Sequence, residues 1–301
     1  MKTPLSFLIV CILLPALCSS TIFAATDPLE TVKIEQLTGL KGTSQDGVFT
    51  VTAPRSDIPV TVDRWSMPTF MGLTSFAAFT HSKLGAAVVG DIVLFEDEIN
   101  EAMHAALDHG LAVTALHHYF FYNEPNVYFM HISGEGPAEN LAGAVGKIFA
   151  AIKAIRAANP AKPARASGLT VLPGKSSITA APLEAIFGIK GESKDGMFKV
   201  IKGYKAVLPS GIELNKEMGL TTWIAFAGND DDALADGEFA VRQKELQPIL
   251  KSLCASEINI MAIHQHMLEE KPQYLFLYFW GRGKATEVAT ALKKALDLQH
   301  E

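Results

Sequence analysis

His264 and His266 form an H-x-H pair inside an apolar run, Ile258–Leu268. On a β-strand, residues two apart project to the same face, with backbones about 6–7 Å apart. Imidazoles at that spacing can converge on one divalent transition metal, which needs at least a third ligand. Glu245, at the start of the preceding helical stretch, is the candidate carboxylate. Upstream, the matching residues are His117, Tyr119 and Glu98, and His117 is a candidate to join the same centre. His118 points to the opposite face, and His131 lies on the partner strand. A turn between Glu124 and Pro125 would set His118 and His131 opposite one another, about 5 Å apart. The competing reading is structural. Buried imidazoles hydrogen-bond the backbone, and Glu98 and Glu245 stand at helix starts, where the macrodipole favours a carboxylate.

Pro54-Arg55-Ser56-Asp57 is a second polar cluster. Arg55 and Asp57 at a strand edge can bind an anionic ligand, or they can pair with each other and fix a turn. The region that answers it downstream reads Gly203-Tyr-Lys-Ala206 and lacks the motif. Aromatic residues crowd the same runs as the histidines and serve either as a binding platform or as core. There is no G-x-S-x-G, P-loop, H-E-x-x-H or paired-cysteine zinc motif. Gly134-Glu-Gly136 enters a helix without the third glycine of a dinucleotide fingerprint.

The elements that must position these residues come in two copies. Shifted by 147 positions, 72–136 and 219–283 align without gaps. Fourteen of 65 positions are identical, including Gly72/Gly219, Phe79/Phe226, Gly90/Gly237, Glu98/Glu245, His117/His264, Pro125/Pro272 and Gly136/Gly283. Ile99, Ala102, Met103, Ala106 and Leu107 follow helical spacing, as do Leu246, Ile249, Leu250, Leu253 and Cys254. A second stripe in each copy runs through Leu141, Ala144, Val145, Ile148 and Ile152, or through Val288, Ala291, Leu292, Ala295 and Leu296. Between the two helices of each copy, paired runs split at a proline read as a hairpin. Earlier strands are expected at Val48–Ala53, Ile58–Asp63, Thr74–Phe79 and Gly90–Phe95. The expected fold is α+β, two tandem copies of an α/β sandwich unit in which antiparallel strands precede helix-hairpin-helix. The hairpin strands are apolar on both faces, so helices or the other copy should cover both.

Composition sets the frame. Hydrophobic residues are 49% and charged residues 19%, which excludes a disordered chain. The net charge of −6 gives no electrostatic reason to expect nucleic acid as a partner. Met1-Lys2, an apolar run from Leu5 to Leu17, and small residues to Ala25 have the order of a secretory signal peptide, too short to span a bilayer. Expected segments are a signal over 1–25, a first repeat domain over 26–156, a Pro- and Ala-rich linker over 157–176 and a second repeat domain over 177–301. After signal cleavage no transmembrane span is expected, so the protein should be periplasmic or secreted. Leu17 before Cys18 is a poor lipobox, against a lipid anchor. Of three cysteines only Cys254 lies beyond the signal, on an apolar helix stripe, where a buried inert thiol is expected.

Asp46-Gly-Val-Phe, Pro54-Arg-Ser-Asp, Gly90-Asp91, Glu96-Asp-Glu-Ile-Asn100, Ala115-Leu-His-His118 and Phe129-Met-His-Ile-Ser-Gly134 resemble the LppY/LpqO family of exported bacterial proteins, some of them lipoproteins. Ala262-Ile-His-Gln-His-Met267 resembles the same hairpin motif in the second copy. The resemblance implies a cell-envelope setting and a domain of unknown function, and it supplies no reaction. The chain departs from the family pattern at Tyr119, where a second histidine is usual. Two functions follow as expectations. One is a non-catalytic protein binding a small-molecule or cell-envelope ligand between the copies. The other is a metal-binding protein or metal-dependent hydrolase using His264, His266 and Glu245, with a divalent metal as its cofactor.

Overall fold

A computed structural model describes residues 29–118, 120–161, 163 and 174–299. The expected signal, linker residues 162 and 164–173, and Tyr119 lie outside the described residues.

The first half runs α1 (Thr31–Thr38), β1 (Gly42–Gln45), β2 (Val48–Pro54), β3 (Thr74–Ser82), β4 (Gly85–Phe95), α2 (Ile99–Asp108), β5 (Ala112–His118), β6 (Val127–Gly136) and α3 (Ala138–Ala158). The second half runs α4 (Ala180–Phe187), β7 (Glu192–Lys194), β8 (Met197–Gly203), β9 (Thr221–Gly228), β10 (Ala233–Arg242), α5 (Gln243–Cys254), β11 (Asn259–His264), β12 (Tyr274–Gly283) and α6 (Ala285–Leu296). Short strands at Thr61–Val62, Trp65–Ser66 and Asn123–Glu124 form a separate small sheet, where one longer strand is expected over Ile58–Asp63.

The helix stripes read from the sequence are buried. Met103, Ala106 and Val145 are sealed in the first half, and Ile249, Leu250 and Leu292 in the second. Periodicity does not predict α1 and α4, each eight residues long. Both end on a glycine, Gly39 or Gly188, in the left-handed conformation of a helix C-cap. Cys254 is buried, and burial pushes its thiol up to about 12, with Asp108 adding to the rise.

All twelve of these strands form one antiparallel sheet in the order β1-β2-β3-β4-β6-β5-β11-β12-β10-β9-β8-β7. The second half is the first read backwards. A pseudo-two-fold axis therefore passes between β5 and β11, where Leu116 pairs with Ile263. The copies thus join edge to edge, so the other copy covers neither face of the hairpin strands. Without that seam β5 and β11 would each be an open edge, and they meet at the Leu116–Ile263 pair. It also brings the helices of both halves to one side, where a single apolar cluster includes Ile34, Met103, Val145, Leu183, Leu250 and Leu292. Side chains tie the seam. The Gln247 amide donates to the Val113 carbonyl (2.8 Å) and accepts from the Val113 N–H (3.1 Å), beside a bulge in β5. Asn100 Nδ2 donates to Asn259 Oδ1 at 2.9 Å.

The other sheet face has a separate apolar patch in each half. Ile58, Val60 and Leu73 pack with Val93, Phe95 and Phe129, and Leu214 and Leu220 pack with Ala240, Tyr274 and Phe276. Among the described residues no helix is long and apolar enough to cross a membrane.

Two glycines shared by the copies sit where neighbouring backbones approach closely. A Cβ on Gly237 would lie 2.2 Å from the Trp223 carbonyl oxygen and 2.8 Å from Phe279, and one on Gly90 would lie 2.8 Å from the Phe76 carbonyl. A backbone carbonyl cannot move aside as a side-chain tip can. Gly237→Ala is expected to destabilise the fold by about 1–3 kcal/mol. Thermal denaturation checks this, and an unchanged midpoint would refute the close approach.

Candidate metal centre

Alternation along each strand decides which side chains meet on the face away from the helices. In β10, Phe239 and Val241 enter the helix-side core, so Glu238 points the other way. In β11, Ile263 enters that core and His264 points the other way. His266 lies just past the end of β11, yet its ring comes back beside His264. The two Nε2 atoms are 3.0 Å apart, and Glu238 Oε2 is 3.4 Å from His266 Nε2. All three ligand atoms lie within 4.8 Å of one another. Two nitrogens bound to one tetrahedral zinc at 2.0–2.1 Å stand about 3.3 Å apart, close to the spacing of His266 Nε2 from both His264 Nε2 and Glu238 Oε2.

The surroundings fix this triangle. Phe276 stacks on His266 with ring centroids 3.5 Å apart, and Tyr278 stacks on His264 at 4.9 Å. Tyr278 faces Glu238 across the β10–β12 ladder. Burial raises the Glu238 carboxyl above its ordinary value, and the Tyr278 hydrogen bond opposes that rise. Burial lowers both imidazoles, and His264 lowers His266 further. A lowered imidazole is neutral at pH 7, the form that ligates a metal. Glu238 Oε2 and His264 Nδ1 are buried without a hydrogen-bond partner.

The first half repeats the theme with different parts. Asp91 faces His131 across the β4–β6 ladder, and His131 faces Ala115 across β5–β6. The neighbours of Asp91, His117 and His131 along their strands, Ile92, Leu116, Met130 and Ile132, all enter the helix-side core, so these three share the other face. His117 Nε2 is 2.9 Å from His131 Nε2. Burial raises the Asp91 carboxyl, with His131 and His117 pulling it back down. Asp91 Oδ1 is buried without a hydrogen-bond partner.

Several sequence expectations are corrected here. Glu245 does not approach the histidines. Its carboxylate takes the Arg242 N–H (2.9 Å) and Arg242 Nε (2.8 Å) at the start of α5, so the helix start and the arginine win the carboxylate. His117 belongs with His131 in the first half and not with His264 and His266. His118 is not opposite His131. It pairs with Tyr128 and packs against that ring at a tilt, because the hairpin turns around the short Asn123–Glu124 strand rather than at a tight Glu124-Pro125 corner.

Arg55 and Asp57 bind each other. Arg55, 6% exposed, donates to Asp57 Oδ1 and Oδ2 (3.0 Å each), Glu98 Oε2 (2.7 Å), Glu98 Oε1 (2.9 Å) and the Val93 carbonyl (2.9 Å). Arg156 reaches Glu98 from α3 at 2.8 Å and also pairs with Asp97. The donors of Arg55 are thus spent inside the fold.

Glu238 and Asp91 are the candidate carboxylates that sequence reasoning missed. They sit at the same 147-residue offset, directly after the identical Gly90 and Gly237. A count of identities passes over an Asp/Glu exchange, although it preserves the chemistry. A wide groove of about 1050 Å³ lies elsewhere in the second half, lined by residues that include Pro209, Arg242, Glu270 and Pro272, and it does not include the imidazoles.

Residues 32–151 and 181–298 each match the family model described as Domain of Unknown Function (DUF1259). The chain belongs to this family. Its two DUF1259 repeats coincide with the two halves of the sheet, and each contains one histidine pair. No curated protein matches the chain. Among solved structures it is similar to the trimeric bacterial microcompartment shell protein PduB, covering 86% of this chain and 91% of that chain at 10% identity. The TM-score is 0.20, which carries no argument about fold or function.

If Arg55 is structural, Arg55→Ala leaves part of the buried Glu98 charge uncompensated and costs about 3 kcal/mol. Urea denaturation should show that loss, with any bound metal retained. A loss of ligand with an unchanged urea midpoint would instead mark Arg55 as a binding residue.

Proposed function

We propose that this chain is an exported protein that binds a divalent transition metal, held in its second repeat by Glu238, His264 and His266. The observation that carries the reading is the convergence of three ligand atoms of suitable chemistry within 4.8 Å. Imidazole and carboxylate donors together suit zinc and its neighbours rather than calcium or magnesium. Export rests on the charged start, apolar run and small residues of Met1–Ala25. The LppY/LpqO-like motifs support a bacterial envelope setting, periplasmic or secreted.

Three protein ligands leave a fourth position for water or for an oxygen donor of a small-molecule or envelope ligand. The exposure of His266 on the open face turns that position toward solvent. The same feature supports a second reading, a metal-dependent hydrolase, since a metal-bound water becomes far more acidic than bulk water.

Elemental analysis of protein purified without an affinity-tag metal tests the proposal. The wild type is expected to carry zinc or a related ion, and His264→Ala/His266→Ala to lose one equivalent per chain. Glu238→Gln should weaken binding without unfolding the protein. Metal at about 100 times its Kd should stabilise the wild type by about 2.7 kcal/mol. Identical metal content in the wild type and the double variant would remove the site. Metal-dependent turnover of ester or phosphoester probes, lost in Glu238→Gln, would select the hydrolase reading.

A further inference from the structure

We propose that the first repeat holds a metal centre of its own, built from Asp91, His117 and His131, so that two ions sit on one face of the sheet. It shares the metal-binding logic of the reading above and uses none of the same residues.

Four observations carry it. The first is the imidazole pair, with Nε2 atoms 2.9 Å apart. The second is the tautomer of His117. Its Nδ1 is 2.9 Å from the His118 carbonyl oxygen, which can only accept. The Nδ1 must therefore donate, and the lone pair of neutral His117 is left on Nε2, facing His131. This is the outer hydrogen bond that orients a ligating histidine. The third is Asp91, on the same face directly across from His131, with a buried and unpartnered Oδ1.

The fourth is how the repeats diverged. Asp91 and Glu238 occupy equivalent positions, and so do His117 and His264. The second imidazole does not. In the first repeat it comes from His131, where the second has Tyr278. In the second repeat it comes from His266, where the first has Tyr119. An inherited fold keeps positions but has no reason to restore a composition. Here two imidazoles and one carboxylate are reassembled by different routes, which points to a requirement for the set itself. Carboxylate length follows the route. His131 sits opposite the carboxylate, where the shorter Asp serves, whereas His266 comes from beyond a strand end and meets the longer Glu.

The centres are close. Across the Leu116–Ile263 bridge, His117 and His264 are diagonal neighbours, with backbones about 7–8 Å apart. Among the described residues only the second-repeat trio already has all three ligand atoms within 4.8 Å, so the first-repeat centre is expected to be the weaker.

Zinc titration of the full, chelator-stripped chain by calorimetry, with elemental analysis after equilibrium dialysis, tests this. The wild type should bind two equivalents in a tight and a weaker step. His117→Ala/His131→Ala should lose only the weaker step, and His264→Ala/His266→Ala only the tighter. His131→Tyr places in the first repeat the side chain that the second accepts at the same position, so it should fold and still lose the weaker step. Circular dichroism verifies folding, and the visible bands of bound cobalt report loss of each centre separately. Two equivalents retained in folded His131→Tyr, or a single equivalent in the wild type that persists in His117→Ala/His131→Ala, would overturn the first-repeat centre. Loss of metal in the His117 and His131 variants alone would support it while removing the second-repeat site.

Discussion

The pairing of β5 with β11 is the constraint on which the rest of the molecule depends. Leu116 and Ile263 face each other there, and both side chains enter the core beneath the helices. Because the ladder is antiparallel, it turns one half through a half-rotation relative to the other. The helices of both halves therefore end on the same side of a continuous sheet. The opposite side keeps its strand-ordered side chains, and the histidines are among them. Gln247 and Asn100 hold the seam by bonding across it.

Burial on one face and chemistry on the other come from the same alternation. Each strand near the seam spends every second residue on the helix-side core. Leu116, Ile132, Phe239 and Ile263 are that half of the pattern, and His117, His131, Glu238 and His264 are the other. The polar residues drawn into the interior away from the seam have a different task. Glu98 gathers Arg55, Arg156 and the Phe95 N–H around one buried carboxylate, locking the start of α2 to β2, β4 and α3. Glu245 binds Arg242 at the start of α5. A carboxylate that neutralises buried arginine and caps a helix is poorly placed to serve a metal as well.

Much of this was legible in the residues. The helix stripes and the duplication follow from a period of 3.6 and from a fixed offset, whereas His264 and His266 meet without the strand alternation expected of them, because β11 ends at His264. The single sheet was not, because a seam between distant edge strands leaves no local pattern. The partner of His118 was misread because hairpin register depends on the loop, and the loop here is centred near the Asn123–Glu124 strand. Glu238 was missed for a subtler reason. Its neighbours Ala235, Gly237, Phe239 and Ala240 make the whole stretch look like core, and only the assembled sheet shows which face each residue takes.

The covalent join between the halves has a consequence for what the protein can become. In an assembly of identical subunits around a true dyad, every change is made twice, and the sites stay alike. Here the dyad is only approximate, and each side mutates independently. Arg55 has no twin, Tyr278 stands in for a histidine, and aspartate answers glutamate. Tandem fusion thus frees two neighbouring faces of one repeated design to diverge residue by residue.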